Sequence, residues 1–275
     1  MDQNLSNTPS FSVIITTYIK ENPSSLHKCL RGVFRNSLTP SEVILVKDGL
    51  LSEELNIIIY KFQKKYKSIF KVISLPENLG SAIAVNFGIS HSKSEWIIKQ
   101  DADDFSFKNR FHELMLNADL SKDVTFFGSH MIETYGNVKK IKKVPLSKNK
   151  ILKMITYRNP FNNPTMCIHK SIFDELGGYP NIYLKEDWGM WINAIKKFHC
   201  FNIDKVLVRS IDSSGLVKRR RGLYNLKSEF KIQKLLIKNE INTLGKGIII
   251  YLIRTFLFLI PNYFLKLIYH LFLRS

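Results

Sequence analysis

The chain has little cysteine and no cysteine pattern. Its three cysteines, Cys29, Cys167 and Cys200, are scattered and odd in number among 275 residues. No C-x-x-C pair or His/Cys cluster occurs, which argues against structural zinc and a disulfide framework and predicts buried, reduced thiols in a cytosolic protein. Glycine signatures are missing as well. No G-x-G-x-x-G follows the first apolar run and no G-x-x-x-x-G-K-[ST] occurs anywhere, so dinucleotide and P-loop readings lose their main support. The opening "MDQNLSNTPS" has neither a basic region nor an apolar one, and no secretory leader is expected. Acid is the scarce charge: 23 Asp and Glu stand against 41 Lys and Arg, a formal net charge of +18. Such a balance calls for an anionic counterpart, whether nucleic acid, an anionic membrane surface or a phosphorylated small molecule.

A chain of this length buries a substantial core and makes one large domain, or one with an appendage. "FSVIITTY" (Phe11 to Tyr18) is a continuous β-branched and apolar run, of the kind covered on both faces. Leu26, Cys29, Leu30, Val33 and Phe34 then recur at helical spacing. Next come a strand "EVILVKD", a helix from Ser52 to Tyr66, a strand "FKVISL", a helix from Gly80 to Ser90 and a strand "EWIIK". Strand–helix alternation predicts a mostly parallel, doubly wound α/β sheet, with ligands at the carboxyl ends of its strands. Past Lys122 the alternation weakens. "TFFGSHMIET" reads as a strand, and Ser147 to Tyr157, Glu186 to Phe198 and Leu223 to Asn239 read as helices; "KKIKK" (Lys139 to Lys143) reads as a solvated loop.

The C-terminal stretch from Gly245 to Ser275 is the most hydrophobic in the chain. Arg254 and Pro261 break it into pieces too short to span a bilayer. Lys266, His270 and Arg274 recur every four residues, a polar edge that suits a helix lying in a membrane interface. Packing on the domain's own core is the alternative.

Against the basic background, "KQDADDFS" sets Asp101, Asp103 and Asp104 at the mouth of a strand. Carboxylates without thiolates or imidazoles select hard cations, Mg2+ or Mn2+, which share phosphate oxygens. One acid of a D-x-D turn can hold the ion while another accepts from a ribose hydroxyl. Glu186 and Asp187 open a helix, whose dipole keeps a carboxylate ionised as a general base requires. Trp188 and Trp191 suit a core, or a stacking platform for a sugar acceptor. Arg219 and Arg220 lie in "KRRRG", able to close over a diphosphate.

Taken in order, "FSVIITTY", "EVILVKDG", "ENLGSAIAVNFGI", "IIKQDADDFSFKNRF", "NPFNNPT", "GGYPNIYLKEDWGMW" and "RRRG" resemble the family 2 glycosyltransferases of the A-type fold. The likeness is nearest to bacterial enzymes of O-antigen, capsule and exopolysaccharide synthesis. It implies a catalytic domain over residues 1–222, and basic amphipathic and apolar helices over 223–275 forming a membrane-associated extension. By the same resemblance Thr17 and Tyr18 edge the nucleobase pocket and Asp48 accepts from the base. Asp101 meets the ribose and helps hold the metal, Asp103 binds it, and Asp104 supports nearby. Asp187 is the general base, Glu186 is its neighbour that orients acceptor or base, and Arg219 and Arg220 cover the diphosphate. Lys47, Lys99, Gln100 and Asn163 depart from the residues usual in relatives.

These readings combine into an expectation. The chain is expected to be an inverting, metal-dependent transferase moving a sugar from a UDP-sugar to a polyprenyl-diphosphate-linked saccharide. It would work at the inner face of the cytoplasmic membrane, on an anionic surface, with no nucleic-acid partner. The rival readings are a basic nucleic-acid-binding protein and a non-catalytic membrane-associated assembly subunit.

Overall fold

The computed structural model describes residues 8–121, 124–211 and 223–259. The arginines Arg219 and Arg220, and the polar edge of Lys266, His270 and Arg274, lie outside them. The strands are β1 (Phe11–Thr17), β2 (Glu42–Asp48), β3 (Phe70–Leu75), β4 (Trp96–Asp101), β5 (Asp104–Ser106), β6 (Thr125–Tyr135), β7 (Val138–Lys142), β8 (Cys167–His169) and β9 (His199–Ser210). The helices are α1 (Pro23–Phe34), α2 (Glu53–Lys65), α3 (Ser81–Ser90), α4 (Arg110–Leu120), α5 (Lys148–Ile155), α6 (Lys170–Leu176), α7 (Glu186–Ala194), α8 (Leu223–Lys238) and α9 (Leu244–Leu259).

The nine strands of the described residues form one sheet in the order β3-β2-β1-β4-β8-β6-β9-β5, with β7 hung on β6. The first four are parallel throughout, as the alternation of strand and helix predicts; antiparallel pairs enter with β8, β5 and β7. The fold is therefore mixed α/β with a mostly parallel sheet. Period-two side chains divide two cores between its faces. Ile14, Ile44, Val46 and Ile97 point to one face, with residues of α3, α5, α6, α7 and α8. Val13, Ile15, Val43, Leu45 and Ile98 point to the other, against α1, α2 and α4.

Local chemistry starts the helices where the sequence suggests. Asn22 caps α1 by accepting from the Ser25 N–H at 3.1 Å, ahead of Pro23, and Ser52 caps α2 ahead of Glu53 and Glu54. Two segments differ from expectation. "KKIKK" is not a loop for most of its length: Val138–Lys142 forms the edge strand β7 after a turn at Gly136, every residue exposed. Lysines on a free edge discourage pairing with another chain. The long strand β9 was not anticipated; it runs parallel to β6 with register shifts near His130.

Helix α9 lies on α8. Gly247 makes the approach possible, because a Cβ there would come within 2.8 Å of Ile237 Cδ1. Its inner side buries Ile250, while Ile248, Ile249, Leu252, Ile253 and Phe256 stay exposed. One side of this helix thus packs on the protein, and the other is apolar and exposed. No helix among the described residues is long and apolar enough to cross a membrane.

Candidate active site

Parallel pairing sets the carboxyl ends of β1, β2 and β4 side by side, with Thr17 opposite Lys47 and Thr16 opposite Asp101. Thr17, Tyr18, Asp48 and Asp101 therefore share one edge of the sheet. Asp48 is buried, and its two carboxylate oxygens accept from the N–H groups of Leu79 and Gly80 at 2.8 and 3.0 Å, at the entrance to α3. Each oxygen keeps a further lone pair. Gly49 follows with φ +83°, where a Cβ would meet the Asn78 nitrogen at 2.7 Å. Only glycine fits that turn. Thr17 is buried and its hydroxyl has no partner among the described residues. Lys47 leans away from the edge and donates to Asn56 Oδ1 at 2.8 Å.

Between β4 and β5 the chain turns sharply, so that one oxygen from each of Asp101, Asp103 and Asp104 falls within 4.8 Å of the others. Gln100 fastens the turn from beneath: its amide N–H groups donate to the carbonyls of Asp101 (2.8 Å) and Asp104 (3.0 Å). Its own Oε1 accepts from Ser106 Oγ and Arg110 Nη1, each at 2.6 Å. Arg110, fully buried, also donates to the carbonyls of Lys99 and Pro164 at 2.7 Å. One guanidinium thus ties β4, the aspartate turn and the Asn163–Thr165 segment together. Lys99 is buried and pairs with Asp101. Burial opposes its charge, but Asp101 and, more weakly, Glu186 and Asp187 hold its ammonium above the ordinary value. Burial and then the Asp101 and Asp103 carboxylates push Asp104 well above the usual carboxylate range. Three hard oxygen donors crowded in this way fit a divalent cation, whose charge would relieve that crowding.

The second acidic group comes from α7. Asp187 Oδ2 accepts from Asn159 Nδ2 at 2.7 Å, and Oδ1 accepts from the N–H of Trp188 at 2.7 Å. Asn159 is itself oriented by the Phe161 N–H, 3.0 Å from its Oδ1. Burial, with Glu186 beside it, raises the Asp187 carboxyl to about 7. Asp187 and Asp101 each act on the charge of Lys99, and both act on Tyr179, whose buried phenol has no hydrogen-bond partner among the described residues. Asp101 and the α7 acids therefore lie in the neighbourhood of the same two buried side chains, Lys99 and Tyr179.

Residues 12–177 match the family described as Glycosyl transferase family 2. The chain is a member of that family. Among its relatives, the UDP-Gal:alpha-D-GlcNAc-diphosphoundecaprenol beta-1,3-galactosyltransferase of Escherichia coli is 35% identical over 266 residues, covering 95% of this chain and 96% of that one. The amylovoran biosynthesis glycosyltransferase AmsE of Erwinia amylovora is 28% identical over 261 residues, covering 94% and 97%. Among solved structures, S. aureus TarS 1-349 in complex with UDP-GlcNAc superposes with a TM-score of 0.67 at 18% identity, over 86% of this chain and 69% of that one. That structure speaks for the A-type glycosyltransferase fold.

Within this glycosyltransferase the two tryptophans are core residues. Trp191 is fully buried and stacks on Phe126 at 5.3 Å between ring centroids. Trp188 is buried, its indole N–H donates to the Ile155 carbonyl at 3.1 Å, and Arg254 lies over its ring. Neither offers a bare face to a sugar, so the stacking role read from the sequence gives way to packing. Arg110, Asn159 and Tyr179 were missed. Each sits inside a stretch whose order identifies the family, but residue type alone assigns none of them a partner.

Proposed function

We propose that this glycosyltransferase moves a sugar from a UDP-sugar to a hydroxyl of a lipid-linked saccharide in bacterial surface polysaccharide synthesis, with inversion at the anomeric carbon. The observation that carries the reading is the presence of two acidic groups near Lys99 with different tasks: a crowded aspartate turn, and an α7 carboxyl raised to about 7. The name of the E. coli relative supports the donor and acceptor classes.

In this reading Thr17 and Tyr18 edge the base pocket, Asp48 accepts from the base, and Asp101 accepts from the ribose. Asp103 and Asp101 would hold Mn2+ or Mg2+, with Asp104 behind them. The chemistry such an ion supplies when bound is neutralisation of charge on the departing diphosphate. Asp187 takes the proton of the acceptor hydroxyl as its oxygen attacks the anomeric carbon from the face opposite UDP. The C–O bond to UDP breaks with its electron pair, and no covalent enzyme intermediate forms. Glu186 keeps Asp187 basic by repulsion. Arg219 and Arg220 would close over the diphosphate.

Residues 1–222 supply the catalytic domain, and 223–275 an extension peripheral to the inner face of the cytoplasmic membrane. The bare apolar side of α9 supports that placement. The test is a panel of UDP-sugars offered with a synthetic GlcNAc-diphosphate-lipid, in Mn2+ and in chelator. Transfer to the lipid with an inverted linkage is expected. Retained configuration, or UDP-sugars that neither bind nor react, would overturn the proposal.

A further inference from the structure

Asp187 does not hold itself in place. Oδ2 is fixed by Asn159, in the loop that follows α5, and its backbone begins α7 immediately after Lys185 and Leu184. Leu184 has φ +55°, the left-handed region that a leucine adopts only under constraint from its surroundings. The entry to the helix is therefore strained, and the Asn159 loop is irregular. Something must hold both.

The holding group comes from the far end of the chain. Glu229 of α8 is fully buried, and its Oε2 accepts from Lys185 Nζ and, at 2.8 Å, from Arg254 Nη1 of α9. Gln233 donates to its other oxygen at 2.8 Å. The remaining arm of the Arg254 fork donates to the carbonyl of Tyr157, two residues before Asn159. The guanidinium also lies 5.1 Å over the ring of Trp188, the residue whose N–H bonds Asp187 Oδ1. Lys246, from the same helix, sits 4.7 Å over the Tyr157 ring. The planar fork reaches the two supports through separate nitrogens, Nη1 and Nη2, which the single nitrogen of an ammonium lacks.

We infer that Arg254 is a positioning residue for Asp187, through which the seating of the C-terminal helix on the protein sets the geometry of the catalytic carboxylate. The inference rests on the assignment of Asp187 as base. It makes the tail part of the active-site support, not only a means of attachment. A helix that offers one side to a membrane and Arg254 to the catalytic loop couples the two surfaces physically.

The experiment uses the full chain, UDP-galactose or whichever UDP-sugar of the panel turns over, and the GlcNAc-diphosphate-lipid. Arg254→Met leaves Glu229 paired with Lys185, so no buried carboxylate is stranded. Its kcat is expected to fall roughly tenfold or more, since small misplacement of a reacting group is costly. KM for the donor and UDP affinity should stay within about twofold, because Asp187 is not asked to bind the donor. Arg254→Lys should restore part of kcat. In an Asp187→Asn background Arg254→Met should have no additional effect on kcat. A lowered Tm with wild-type kcat would reduce Arg254 to a structural tie and overturn the inference. If Arg254→Met does not fold, Arg254→Lys is decisive: wild-type kcat in that variant overturns it, since the hold on Tyr157 is lost there. Normal turnover of Asp187→Asn would sink the base assignment and this inference with it. A slow Asp187→Asn beside a fast Arg254→Met would leave the base assignment standing and remove only the inference.

Discussion

Arg110 Nη1 lies 2.6 Å from Gln100 Oε1, both side chains are fully buried, and between them they fasten the aspartate turn to the rest of the sheet. The contact gives the buried Gln100 amide a purpose. Two of its donors hold the carbonyls of Asp101 and Asp104, so the amide replaces what the short turn cannot satisfy internally.

Gln100→Leu should therefore loosen the site before it unfolds the protein. Two carbonyls would lose donors and Arg110 would lose an acceptor, at about 1–3 kcal/mol for stranded buried groups. Donor affinity in Mn2+ should fall with stability, by isothermal titration with UDP beside urea denaturation. Arg110→Met should be worse, by about 3 kcal/mol or more, because four acceptors in separate segments are released together. A variant at either position with unchanged stability and UDP affinity contradicts this account.

Asp103→Asn tests the cation. A neutral amide is a poor ligand for a hard dication, so UDP affinity in Mn2+ should drop and turnover should cease. UDP affinity measured in chelator should hardly change between wild type and variant. Undiminished turnover of the variant, or full wild-type activity in chelator, would exclude a metal role.

Much of this was legible in the chain before any fold was seen. Runs such as "FSVIITT" and "EVILVKD" are apolar on both faces because helices cover both faces, so β1 and β2 announce themselves. Asp48, Asp101 and Asp187 stood out as acids at element ends in a basic sequence. What was hidden depends on partners distant in sequence. Arg110 reaches Pro164 across 54 positions, Asn159 reaches Asp187 across 28, and Arg254 reaches Tyr157 across 97. A lone arginine in a tail looks like an interruption of an apolar run until Glu229 appears beside it. The antiparallel strands of the second half were likewise obscured, since β7 is lysine-rich and β8 only three residues long.

The pH dependence of kcat should carry the signature of Asp187. A base works only when ionised, and burial and Glu186 raise this carboxyl to about 7. Rate should accordingly fall about tenfold per pH unit below that value and level off above it. Glu186→Gln removes the neighbouring charge, so the acid limb should move to lower pH. Asp187→Asn should lower kcat roughly a hundredfold or more and erase the limb. The same shift has a stability sign. Between the ordinary carboxylate value and about 7 the native state binds the proton more readily than the unfolded chain. Stability from this group is thus lost as pH rises through that window. An acid limb unchanged in Glu186→Gln would place the titrating group elsewhere.

Helix α9 carries both an exposed apolar side and the Arg254 contact with the Asn159 loop. Deleting Gly245 to Ser275 would remove the bare apolar side chains of α9 together with Arg254 and Lys246, so loss of function would not identify its cause. Substitution on the bare side separates the two. Ile249 and Ile253 are 59% and 55% exposed, one turn apart, and neither touches the Glu229 network. Each apolar side chain withdrawn from water into an interface contributes up to about 2 kcal/mol, and basic residues near anionic head groups add about 1 kcal/mol each, a term that salt screens. Ile249→Glu with Ile253→Glu should therefore cut co-sedimentation with phosphatidylglycerol vesicles by well over tenfold, leaving Tm and UDP affinity at wild-type values. Wild-type binding should weaken with added salt without vanishing, because the apolar area remains. Transfer to acceptor embedded in vesicles should fall with vesicle binding, whereas transfer to a short-chain soluble acceptor should not. Vesicle binding unchanged in the double variant would show that α9 is not the contact and that another basic surface meets the membrane.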